Sequence, residues 1–221
     1  MFKRIIRELA EHAPFTAMGA VAGIIVMVLI EIFSAPREIS HALFYTLHPL
    51  HIVLSALVTT AIYRRFGSGK LWAAIIIGYT GSVGIATLSD IIIPYLGGSA
   101  LRIPMEFHLP FIETERMPFI GIEKWKIVNS AAVIGIAIAC WKPTTRFPHM
   151  GHVLLSTWAS LFSFTAFGIA NWIPLLPFVF LFLFLAVWLP CCVSDIIYPL
   201  LWVREGQTAK LPEGKHAPHI H

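Results

Sequence analysis

Charge is what this sequence has least of. Asp, Glu, Lys and Arg make up only 13% of its 221 residues, against 57% hydrophobic residues and a mean hydropathy of +0.76. A soluble domain of that length cannot hide so much apolar surface, which excludes the ordinary water-soluble classes and leaves a polytopic membrane protein. Cysteine is also scarce. Cys140, Cys191 and Cys192 are too few for a disulfide framework, and the vicinal pair Cys191–Cys192 reads as two small apolar residues rather than a redox centre. No phosphate-binding glycine loop, dinucleotide fingerprint or hydrolase nucleophile motif is present. The formal charge of +4 is too small to argue for a nucleic-acid partner and reads instead as membrane topology. The basic start "MFKRIIRELAEHAPF" runs into an apolar segment without a small-residue cleavage site, so no signal peptide is expected.

What is present is a set of long apolar runs. A bilayer core takes about 20 apolar residues per helix. Segments at roughly 14–34, 43–63, 71–96, 125–141, 149–170 and 173–203 qualify, the last being long enough to be tilted or broken. The expected fold is therefore an all-α integral membrane protein with six transmembrane helices, in a single membrane domain spanning 1–221. Ahead of the first span, Phe2, Ile5, Ile6 and Leu9 at helical spacing among alternating charges predict a short amphipathic interfacial helix.

Basic residues sort by side. Lys3, Arg4, Arg7, Arg64, Arg65, Lys70, Lys142, Arg146, Arg204, Lys210 and Lys215 fall together. Arg37, Arg102, Arg116, Lys124 and Lys126 fall on the other side, diluted by Glu38, Glu106, Glu113, Glu115 and Glu123. The positive-inside rule then predicts a cell-membrane protein with both termini cytoplasmic and an outer loop at 98–124. Within that loop Glu106, His108, Glu113 and Glu115 read as a solvated segment before they read as a cation collector.

The chain repeats itself. "HPLHIVLSAL" from His48 is matched by "HMGHVLLSTW" from His149, and "SDIIIPYL" from Ser89 by "SDIIYPLL" from Ser194, in the same order. The resulting halves, 14–97 and 125–203, hold three spans each. Three is odd, so the second half enters the membrane from the opposite side, the inverted-topology repeat common among secondary transporters.

The motif carries metal chemistry. His48, His51 and Ser55 share one helical face, as do His149, His152 and Ser156. Two imidazoles and a carboxylate, Asp90 in one half and Asp195 in the other, make a three-ligand set for a divalent ion of the zinc, iron or manganese class. Ser55 and Ser156 read as weak ligands or as hydrogen-bond partners that fix the imidazole tautomer, and Ser89 and Ser194 as hydrogen-bond partners of the ligands. Pro94 and Pro199 each follow an aspartate by four residues, so each is expected to free that aspartate's own carbonyl. Imidazole and carboxylate bind metal only when deprotonated, so proton exchange accompanies binding.

The expected function is transport or exchange of a divalent transition-metal cation. Two alternatives remain at this point: an intramembrane metal-dependent hydrolase acting on a lipid-type substrate, and a haem-binding membrane electron carrier, for which histidines three apart on one helix are poorly arranged. Membrane lipid and the metal ion are the expected partners. The cytoplasmic tail, 204–221, with His216, His219 and His221, is assigned no specific role.

Overall fold

The computed structural model describes residues 2–34, 36–67, 70–117, 120–142, 146–168, 173–192 and 197–203. It is all-helical, with no strand among the described residues. In chain order the elements are α1 (Phe2–Ile32), α2 (Arg37–Phe66), α3 (Leu71–Thr87), a π-helical turn (Leu88–Ile92), α4 (Ile93–Ala100), α5 (Lys124–Trp141), α6 (Arg146–Phe167), a 3-10 turn (Ile173–Leu175), α7 (Leu176–Cys192) and α8 (Tyr198–Leu201).

Four segments are long and apolar enough to cross a membrane: Arg37–Phe66, Leu71–Ala100, Lys124–Trp141 and Ile173–Pro190. α1 carries a shorter apolar stretch, Thr16–Ile32. It runs without a break from Phe2 through Pro14, so the basic, amphipathic start is continuous with the apolar segment rather than a separate interfacial helix. α6 is 22 residues long but falls outside the four. Its serines, threonines and histidines dilute its hydropathy, and their burial explains why it tolerates them: His152, Ser156, Thr157, Ser160 and Ser163 are all enclosed. The expected sixth span, 173–203, is described in part. α7 is described to Cys192 and α8 covers Tyr198–Leu201. Ser194 and Asp195 lie outside the described residues, as does the tail from Arg204.

Helix packing is ordered around α2 and α6. α2 packs on α3, α5, α6 and α8; α6 packs on α1, α2, α4 and α7; α1 also meets α7, and α5 meets α3. α2 and α6 run antiparallel. Arg37 Nε donates to the Ala166 carbonyl, His51 stacks on His152, and Gly151 faces Leu54, so numbers rise on one helix as they fall on the other. Gly135 is what lets α5 approach α2: a Cβ there would collide with the Val53 carbonyl.

Two apolar clusters flank this pair. One joins Met27, Phe44, Leu161, Phe162, Phe164, Phe167 and Leu183; the other joins Ile52, Val83, Val128, Ala131 and Ala132. Large side chains such as Val21, Ile25 and Leu29 on α1 and Val133, Ile134 and Ile138 on α5 remain exposed. In water such faces would drive association; against lipid chains they are matched.

The loop 101–123 is tied down rather than solvated throughout. The Glu106 amide donates to the Phe167 carbonyl at 3.0 Å, and Lys124 Nζ donates to Glu113 Oε2 at 2.8 Å and Glu115 Oε2 at 2.7 Å. The Lys124 ammonium holds the exposed Glu115 carboxyl below its usual range.

Candidate metal centre

Asp90 is brought to the site by a helix that changes its winding. Across Leu88–Ile92 the chain widens into a π turn, and the Ile93 amide bonds the Leu88 carbonyl five residues back. Pro94 follows immediately. Proline has no N–H, so some carbonyl upstream must lose its partner. In an α-helical register that carbonyl would be Asp90's, as the sequence alone suggests. The π register moves the vacancy one residue: the carbonyl five before Pro94 is that of Ser89. The structure supplies a donor there, since Ser160 Oγ on α6 lies 3.0 Å from it.

His48 and His51 come from the middle of α2, one turn apart. Their Nδ1 atoms lie 2.8 and 2.7 Å from the same oxygen, Asp90 Oδ2. A carboxylate only accepts, so in this arrangement each Nδ1 carries the proton. The other carboxylate oxygen, Oδ1, faces hydroxyls: Ser89 Oγ at 2.7 Å, Ser156 Oγ at 2.9 Å and Ser160 Oγ at 3.4 Å. Ser160 has one proton and three acceptors in reach, the third being the Ser156 carbonyl at 2.8 Å. The burial is complete: Asp90 is 0% exposed and His48 and His51 are 1% exposed. An anionic carboxylate in such a place is tolerable only because every lone-pair direction has a donor.

The His48, His51 and Asp90 ligand atoms lie within 4.8 Å of one another and can hold a metal ion. Coordination through the two Nδ1 atoms requires each imidazole to carry its proton on Nε2 instead. Ligand distances around one such ion are about 2.0–2.2 Å.

The first half's candidate ligands therefore converge. Of the second half, His152 is described: it is fully buried and its ring stacks on His51, with centroids 5.4 Å apart and planes 18° apart. His149 is one turn earlier on α6, and Asp195 and Ser194 are outside the described residues. The serines do not distribute as expected. Ser89 does sit on Asp90, but Ser55 Oγ is buried without a hydrogen bond, and it is Ser156 of the other half that reaches the carboxylate. Ser160 and Thr59 were not singled out from the sequence, although each extends its motif by one further helical turn, four residues after Ser156 and Ser55.

The fold and site define a class: a helical bundle compatible with a membrane, enclosing a His–His–Asp candidate metal centre. No family model matches the chain, and no curated protein or solved structure matches it either.

Proposed function

We propose that the protein is a six-span transporter of a divalent transition-metal cation, built from two inverted three-helix repeats, with both termini cytoplasmic. His48, His51 and Asp90 form one ligand set, and His149, His152 and Asp195 form its repeat mate. One observation carries the reading: two imidazoles and a carboxylate from separate helical elements converge, fully enclosed, midway along membrane-length helices. Ionisable side chains at that depth are costly, and a bound dication offsets the cost.

Helix packing supports the repeat. Exchanging α1 with α5, α2 with α6 and α3 with α7 maps the contacts onto one another: α1 on α6 becomes α5 on α2, α1 on α7 becomes α5 on α3, and α2 on α3 becomes α6 on α7. In the His motif the sequence repeat pairs residues 101 positions apart, His48 with His149, His51 with His152, Ser55 with Ser156 and Thr59 with Ser160. His51 and His152 are both repeat mates and stacked neighbours. A pair of that kind belongs on a pseudo-two-fold axis.

The halves are not equally occupied. Ser156 and Ser160 engage the Ser89–Asp90 turn, whereas their mates Ser55 and Thr59, also buried, make no hydrogen bond among the described residues. Neither folds back onto its own helix as Thr87 and Thr157 do. Thr59 lies against Gly81 beside Tyr198, three residues past Asp195. Such asymmetry between repeats suits alternating access: one state secures Asp90 through Ser156 and Ser160, and the other secures Asp195 through Ser55 and Thr59.

The enclosed geometry favours a small cargo over a lipid-sized substrate. Two Nδ1 atoms turned onto one carboxylate oxygen also do not present the facing imidazoles that haem needs. The test is a Co²⁺ titration of purified protein followed by its visible ligand-field bands. Wild type binds, and His51→Ala and Asp90→Ala weaken binding by about ten- to a hundred-fold or more. Wild-type affinity in both variants would reduce the cluster to helix-packing glue.

A further inference from the structure

The α2 face that carries His48 and His51 continues toward the loop 101–123. His41, Phe44, His48 and His51 follow at spacings of three, four and three, so they lie along one side of the helix. The end of α6 meets that line. The Phe167 ring lies edge-on to His41 at 4.7 Å and to Phe44 at 5.3 Å. His108, from the loop, stacks on Phe167 at 3.7 Å and meets Phe44 edge-on at 5.2 Å. Phe44 in turn lies parallel to His48 at 5.2 Å. The Phe44 ring thus bridges the loop imidazole and His48, with Phe167 packed against both Phe44 and His108.

His108 is a poor choice of residue for an apolar plug. It is only 9% exposed, its Nδ1 faces the Glu106 carbonyl at 3.5 Å, and its Nε2 is buried with no hydrogen-bond partner. Burial pushes the imidazole down to about 3, against the smaller upward pull of the Glu106 carbonyl, so it is neutral. A neutral histidine whose Nδ1–H is turned to a carbonyl presents the Nε2 lone pair, the arrangement that prepares imidazole for a metal. Phenylalanine would fill the same stack without burying an unpaired nitrogen, which is unfavourable. On the neighbouring His41 the charges of Arg37 and Lys124 act against a cation and those of exposed Glu106 and Glu38 act for one; Arg37 is engaged by the Ala166 carbonyl and Lys124 by Glu113 and Glu115.

We propose that His108 is a gate ligand for the transported cation, receiving it through Nε2 at the Glu38–Glu106 rim and releasing it to His48 when the Phe44 and Phe167 rings part. This rests on the transport reading above and adds a binding residue that lies outside both His–His–Asp sets.

The experiment compares wild type with His108→Phe, which keeps the ring stack, and His108→Gln, which keeps polarity. Co²⁺ is the probe, and two quantities are read on each protein: equilibrium binding in detergent, and initial Co²⁺ influx into proteoliposomes. Both variants are expected to keep central-site affinity within about two-fold and to lose about ten-fold in initial influx. Wild-type influx in either folded variant would overturn the gate, as would an affinity loss matching the loss of rate, since His108 would then merely support the central site. If wild type itself binds no Co²⁺, the transport reading falls and takes the gate with it; if wild type binds and transports while both variants do so equally well, only the gate falls.

Discussion

Ser55 and Ser156 occupy matched places in two related motifs, yet one is bonded and the other is not. Ser156 Oγ lies 2.9 Å from Asp90 Oδ1, and Ser55 Oγ has no partner. Removing a hydroxyl that caps a buried carboxylate leaves part of that charge unsatisfied, at a cost of about 1–3 kcal/mol. Removing an orphaned hydroxyl costs almost nothing and relieves its desolvation. Thermal melts in detergent should therefore rank Ser55→Ala at or above wild type and Ser156→Ala clearly below it. A Ser55→Ala loss as large as that of Ser156→Ala would mean that the two halves are equivalent after all.

At the scale of the element, the π turn before Pro94 sets the direction of Asp90. Pro94→Ala restores an amide and removes the ring, so the segment can return to α-helical winding. A one-residue change of register turns a side chain by about 100° around the axis. The variant should fold, with Co²⁺ affinity reduced about ten-fold or more because Asp90 no longer meets His48 and His51. Unchanged affinity would show that tertiary contacts, Ser160 among them, hold the turn without the proline. This turn also marks the limit of what the sequence discloses. Apolar length announces α2, α3, α5 and α7, and the spacing of His48, His51 and Ser55 announces a shared face. A proline announces only that some carbonyl is freed, because the backbone can absorb it in two registers. Spacing likewise says which side chains share a helix face but not what lies opposite, so the reach of Ser156 onto Asp90 was not legible while the convergence of His48, His51 and Asp90 was. His108 sits among Glu106, Glu113 and Glu115 and reads as solvated; its burial comes from the Phe167 ring, far off in sequence.

For the molecule as a whole, the proposed transport requires the two halves to take turns around the stacked pair His51 and His152. Each half's aspartate is then needed for one part of the cycle, so neither is dispensable for net movement even where only one binds the ion at a given moment. Exposed apolar chains on α1 and α5 are compatible with a bilayer, while the polar side chains between α2 and α6 stay enclosed. The most direct test is Co²⁺ influx into proteoliposomes carrying a metal-sensitive dye, comparing wild type, Asp90→Asn and Asp195→Asn. The account predicts saturable influx for wild type and its loss in both variants; influx no greater than in protein-free liposomes, or undiminished in Asp90→Asn, would contradict it.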